Sequence, residues 1–222
     1  MSWRNRDIYS QGKLAKMASV SNRRRAAIDR TIDAVRGTAE TGAIDRPALD
    51  RMKEHLVALA GQTDLFPRAD FPATGNEDDD THLLSQDADG RFALYLYSSG
   101  SDGETPPHDH KTWAVIAGIE GVEHNKIFRR LDDGATPDRG HIELTREFSV
   151  SPGTGLTLMP QDVHSIHVDA ASPLMHLHLY GRGFEFLSGR VSFDISNGTT
   201  APYGGALLTP TRDDPILSET TP

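Results

Sequence analysis

Thr105-Pro106-Pro107-His108-Asp109-His110-Lys111-Thr112-Trp113-Ala114-Val115-Ile116 is the stretch whose reading decides the fold. Side chains alternate across a β-strand, so residues two apart point the same way. His108 and His110 on a strand therefore carry two imidazoles to one point, which is half of a metal site. A third imidazole is expected from His164, in Pro160-Gln161-Asp162-Val163-His164. A second alternating set follows in Leu174-Met175-His176-Leu177-His178-Leu179-Tyr180. Period two puts His176, His178 and Tyr180 on one face of that strand and Met175, Leu177 and Leu179 on the other.

Working outward, the chain from Arg91 onward breaks into short β-like runs separated by Gly, Pro and Asp. The expected strands are 92–97, 112–119, 122–128, 141–150, 155–159, 164–168, 174–180 and 190–193. Turn signals lie between them at Asp132-Asp133-Gly134, Ser151-Pro152-Gly153 and Gly181-Arg182-Gly183. Many short, evenly spaced strands predict a sandwich or barrel. Upstream, residues 21–59 read as helical: Ile28, Ile32, Ala34 and Val35 recur near the helical period, with Gly37 as a stop. A second helix starts near Asp45-Arg46-Pro47 and carries a stripe of Leu49, Met52, Leu56, Val57 and Leu59. The expected organisation is a helical segment over 1–75, a β-barrel with the metal site over 76–200, and an extended tail over 201–222. The acidic run Gly75-Asn76-Glu77-Asp78-Asp79-Asp80 marks the first boundary.

A chain of 222 residues, 25% charged and 36% hydrophobic, fits a globular protein able to bury a core. No apolar run reaches the roughly 18 to 20 residues that span a bilayer, and the start has no secretory apolar stretch. The chain has no cysteine, which excludes disulfides, a thiolate nucleophile and Cys-ligated zinc or iron–sulfur clusters. The expected location is the cytoplasm. A net charge of −9 argues against a general nucleic-acid binder. That charge is uneven: eight Lys/Arg in residues 1–30 face only Asp7 and Asp29. A basic arm of this kind is expected to be mainly a solvated helix face, or else to pack on its own domain or a neighbouring subunit.

Three neutral imidazoles suit zinc, copper, iron and nickel, so ligand type does not choose the metal. His-x-His on one strand with another His about fifty residues on is similar to the arrangement of the cupin class of small β-barrels. The acidic ligand usual in cupins would fall at Ala114 or Val115, so the expected centre is all-histidine. Three neutral ligands leave the full dipositive charge on the ion, which favours an anionic atom such as a thiolate. A lone His164 or His167 is more often structural than a ligand; the adjacent His108 and His110 are harder to read that way. His55, His124 and His141 have no partner at a ligand spacing and are read as surface residues. Asp109 alternates away from the metal face and is expected to anchor a loop. Spacing alone leaves His176 and His178 open as the metal pair instead.

Beyond these patterns, residues 91–194 resemble the thiol dioxygenases of the cysteine dioxygenase and mercaptopropionate dioxygenase type. Pro107-His108-Asp109-His110-Lys111-Thr112-Trp113 resembles the family's first metal motif, and Gln161-Asp162-Val163-His164-Ser165 its third-ligand loop. His178-Leu179-Tyr180-Gly181 is similar to the end of its Ser-x-His-x-Tyr strand. The resemblance implies an all-β cupin (a double-stranded β-helix, jelly-roll-like barrel) with Fe(II) on His108, His110 and His164. It implies O2-dependent conversion of a small thiol to a sulfinate, with His178 and Tyr180 hydrogen-bonded beside the iron. Zinc or nickel in the same ligands is the alternative.

Three departures shape the expected pocket. His176 stands where the family has Ser. The absence of cysteine rules out a Cys–Tyr crosslink. His82 falls where the cysteine enzymes carry the Arg that clamps the substrate carboxylate, and a His does not reproduce bidentate Arg geometry. Arg190, or Arg182, is then the expected anion-binding group. The expected substrate-facing set is Arg190, His82, His176 and Trp113. A metal cupin acting on a non-thiol substrate, and a non-catalytic binding module, are the competing readings; the oligomeric state is left open.

Overall fold

The structure, a computed structural model, describes residues 3–73, 80–100, 102–169 and 173–204, with side chains from 19 onward except at 80. Helix α1 spans Trp3–Glu40 and α2 spans Arg46–Ala60. The basic side chains of Arg4, Arg6, Lys13 and Lys16, most of the acidic run at 75–80 and residues 205–222 lie outside that description.

Helix α1 does not stop at Gly37. It runs a further turn, with Thr38 Oγ1 donating to the Ala34 carbonyl, and ends before Gly42, whose φ is +155°. A lone Gly costs a helix only about 1 kcal/mol, less than packing against α2 returns. Helix α2 begins as its sequence reads: Asp45 Oδ1 accepts from the Ala48 N–H at 2.8 Å and Pro47 lies in the first turn. Within the basic arm, Arg24 is buried. It donates to the Leu65 carbonyl at 2.9 Å and to Asp70 at 2.8 Å, and lies over the Phe71 ring. Exposed Arg30 keeps the solvated face.

The strands, in chain order, are β1 (Asp80–Ser85), β2 (Arg91–Ser99), β3 (Gly103–Glu104), β4 (His108–Asp109), β5 (Ala114–Glu120) and β6 (Glu123–Arg130). They continue with β7 (Ile142–Val150), β8 (Gly155–Leu158), β9 (Val163–Val168), β10 (Leu174–Arg182), β11 (Val191–Asp194) and β12 (Thr199–Pro202). All eight strands expected from the sequence are present. Strands β1, β3 and β12 are additional, and His108 sits on a two-residue strand of its own. One sheet has the order β1-β2-β10-β5-β8; the other runs β12-β11-β4-β9-β6-β7, with β3 on β9. This is the all-β, two-sheet architecture expected of a cupin barrel, preceded by helices. No described helix is long and apolar enough to cross a membrane.

The first sheet is buried on both faces. Leu94, Leu96, Val115, Ala117, Met175, Leu177 and Leu179 pack outward against Ile28 and Ile32 of α1 and Leu49, Met52, Leu56 and Leu59 of α2. Ala93, Tyr95, Ala114, Ile116, Leu158 and Tyr180 pack inward, between the sheets. Burying such side chains stabilises by about 1.5–3 kcal/mol each, so the helices are an integral wall of the sheet. The apolar side of β10 is thereby committed to the helices, and its polar side must face the interior.

Candidate metal centre

Strand pairing assembles the first site. In the register of β4 on β9, His108 stands opposite His164, and residues opposite one another share a face. His110 lies just past β4, in a bend where Lys111 takes a φ of +55°. The bend turns its ring back: His108 Nε2 is 3.1 Å from His110 Nε2, and His164 Nε2 is 3.2 Å from the same atom. All three rings are buried.

The outer nitrogens of two rings fix which inner atoms offer a lone pair. His108 Nδ1 meets the Pro106 carbonyl oxygen at 2.9 Å, and His164 Nδ1 meets Asn125 Oδ1 at 2.8 Å. These oxygens only accept, so each Nδ1 carries the ring proton and each Nε2 presents a lone pair. These two lone pairs face His110 Nε2 at 3.1 and 3.2 Å, a convergence that a cation bound between the three rings would satisfy. Two donor atoms each about 2.1 Å from an ion stand about 3.0 Å apart at a right angle. The separations of His110 from His108 and from His164 are close to that value, and all three donor atoms lie within 4.8 Å of one another, so the set can hold one ion. Burial pushes the pKa of all three imidazoles down, helped by the charge of Arg190, with His164 brought to about 4. They are neutral ligands at ordinary pH. Ala114 and Val115 are buried apolar residues, so no carboxylate joins this set.

Asp109 points away and anchors the loop: its Oδ1 accepts from the Val191 N–H and its Oδ2 pairs with Lys111. The Arg190 guanidinium donates through Nε to the Asp109 carbonyl at 3.2 Å. It also lies over the rings of Tyr203 and Phe184. Tyr203 in turn stacks on His108 at 4.4 Å between ring centroids. Tyr203 falls in the segment read as a tail; β12 carries it in by pairing with β11. Outside Arg190 and Tyr203 a cavity of about 480 Å³ opens, with Lys111 and Gly189 on its wall. Arg182 lies over Phe186 instead, which separates it from the role open to Arg190.

Tyr180 reaches the triad from the other sheet, its ring edge-on to His110 at 5.2 Å. His178 Nδ1 and the Tyr180 hydroxyl share a hydrogen bond of 3.2 Å. Burial pushes the Tyr180 phenol up, so it keeps its proton. Two residues of the expected substrate-facing set lie elsewhere. His82 stands opposite Leu96 on β2, which puts it on the helix side of the sheet, against Phe71 at 5.3 Å. Trp113 joins the same outer cluster beside Phe92. Period two places both behind the sheet from the triad. His176 does face inward, but it meets Glu123 rather than the triad.

Glu123 is the residue sequence reading missed. It is completely buried at the start of β6, and its Oε2 is 3.5 Å from His176 Nδ1 and 3.4 Å from His178 Nε2. Its Oε1 accepts from Asn125 Nδ2 at 2.8 Å. The only sequence signal is alternation: Glu123, Asn125 and Ile127 share a face of β6 that turns inward.

No family model matches the chain. Among solved structures, it is similar to a cupin superfamily protein of Desulfitobacterium hafniense, at 13% identity over 55% of this chain and 88% of that one, with a TM-score of 0.38. It is also similar to a Klebsiella pneumoniae protein with a double-stranded β-helix domain, at 12% identity over 57% and 88%, with a TM-score of 0.40. TT1209 of Thermus thermophilus is 15% identical over 53% and 95%, with a TM-score of 0.40. The assignment of the fold rests on the chain's own topology, two antiparallel sheets with the histidines on their inward faces. The fold is a cupin fold.

Proposed function

We propose that this cupin is an iron-dependent thiol dioxygenase that converts a small, carboxylate-bearing thiol to its sulfinate. The observation that carries the reading is the pairing of a neutral three-histidine set with a protonated phenol, Tyr180, edge-on to His110. In the overall reaction the sulfur takes both atoms of O2 and one proton is released. Iron(II) held by His108, His110 and His164 would supply the one-electron chemistry by which O2 reacts with a thiolate. The neutral ligand set favours an anionic sulfur.

The remaining work falls to protein side chains. Tyr180, oriented by His178, offers a hydrogen-bond donor at the reacting atoms, and its raised pKa keeps that donor protonated. Arg190, buried and fixed by the Asp109 carbonyl and the two flanking rings, offers a cation to the substrate carboxylate. Phe184 and Tyr95, stacked at 4.6 Å, close the inner wall around Tyr180. They limit water around the phenol.

Iron-loaded protein should consume O2 with a mercaptocarboxylate and release one sulfinate per O2. If no thiol in a broad panel supports O2 uptake by fully iron-loaded protein, the reading fails. One observation favours a second reading, a metal cupin acting on a non-thiol substrate. His82, at the position of the family's carboxylate clamp, lies behind the sheet. Full zinc or nickel occupancy with no iron-dependent activity would support that alternative.

A further inference from the structure

A second set of donors lies deeper in the barrel. Glu123 Oε2, His176 Nδ1 and His178 Nε2 lie within 4.8 Å of one another. Glu123 and His176 are wholly inaccessible, and His178 is 6% exposed. Among the described residues, these two imidazoles are the only groups at ion-pair distance from the carboxylate. The three facing atoms all lack a hydrogen-bond partner. With both imidazoles neutral, the buried carboxylate has no cation, which is costly, and three unpartnered polar atoms facing one another add to that cost.

We propose that Glu123, His176 and His178 bind a second divalent transition-metal ion, of the zinc class, separate from the three-histidine centre. The spacing is the first reason. Donor atoms about 2.1 Å from a common ion stand about 3.4 Å apart at the tetrahedral angle, and the carboxylate-to-imidazole distances are 3.4 and 3.5 Å. In the first triad the two separations from His110 Nε2 are shorter, at 3.1 and 3.2 Å.

The surroundings of the ligands are the second reason. Asn125 donates to the distal oxygen of Glu123, leaving Oε2 for the ion. Ligation through His178 Nε2 puts the ring proton on Nδ1, where it is donated to the Tyr180 oxygen at 3.2 Å. Metal-bound imidazoles are ordinarily oriented by this kind of outer contact. The ion supplies the charge that Glu123 otherwise draws from a protonated His176 or His178, and locks the ring that positions Tyr180. Asn125 also holds His164, so one amide ties the two sites together.

Metal-free protein titrated with Co(II) tests this, with bound metal counted by mass spectrometry and visible absorption reporting geometry. The wild type should take up two equivalents, one giving the intense bands of tetrahedral cobalt. H108A should keep that tetrahedral equivalent, whereas E123Q and H176N should each lose it and keep one. Circular dichroism checks folding, and either variant alone suffices should the other not fold. Saturation of the wild type at one equivalent overturns the proposal, as does survival of the tetrahedral bands in E123Q or H176N. Thiol oxidation is not read in this experiment, so the catalytic assignment stands or falls separately.

Discussion

His108, His110 and His164 come from two paired strands and a bend, buried behind Arg190 and Tyr203, whereas Glu123, His176 and His178 sit on the inner faces of β6 and β10. The first set is all-neutral, with two of its outer nitrogens tied to carbonyl oxygens. The second includes a carboxylate whose only charge partners among the described residues are its own two imidazoles. The same ligand type, imidazole, is thus presented at two spacings. A neutral set leaves its ion the full positive charge with which to draw an anionic reactant; a set that includes a carboxylate suits an ion that stays.

The largest effect should come from breaking the first set. H108A should lose iron and at least about a thousandfold in thiol oxidation, because no other described group can replace a ligand in that triad. If H176N falls as far while H108A retains activity, the roles of the two clusters are reversed. Next, Y180F should retain iron while turnover falls about a hundredfold, the range expected for a positioned proton donor. An unchanged rate would remove Tyr180 from the chemistry.

R190M should weaken selectivity rather than metal binding. Loss of a charge-assisted hydrogen bond, about 1.5–3 kcal/mol, corresponds to roughly a 10- to 150-fold rise in KM for a mercaptocarboxylate. A neutral thiol such as 2-mercaptoethanol should be nearly unaffected, and equal losses for both would exclude a carboxylate clamp. The smallest effect is on metal-free stability. His164 titrates at about 4 in the fold against about 6.5 unfolded. Between these values the unfolded chain binds more protons, so stability should rise with pH from about 4 to 6.5 and level off above. Thermal melts across that window should show a shallower slope for H164N.

Period-two alternation was enough to place His176, His178 and Tyr180 on one face of β10, because a strand offers only two directions. Which direction points inward required the helices, which claim the Leu177 side. The same alternation, read without a partner strand, could not show that His82 is behind the sheet; its pairing with Leu96 decides that. Trp113 looked available beside the His pair, but the bend at Lys111 turns the chain between them. Glu123 and Asn125 carried no motif at all, since a buried carboxylate is recognisable only by what surrounds it.

The sequence by itself determined the β architecture, the helical cover, the absence of sulfur ligands and the three imidazoles, all of which follow from local periodicity and residue chemistry. The tertiary structure alone decided which groups share the interior with them. Arg190 rather than Arg182 or His82, Tyr203 on His108, and Glu123 between two histidines are products of strand register and sheet closure. Those contacts join residues far apart in the chain, and the physics that selects them is packing across the whole barrel.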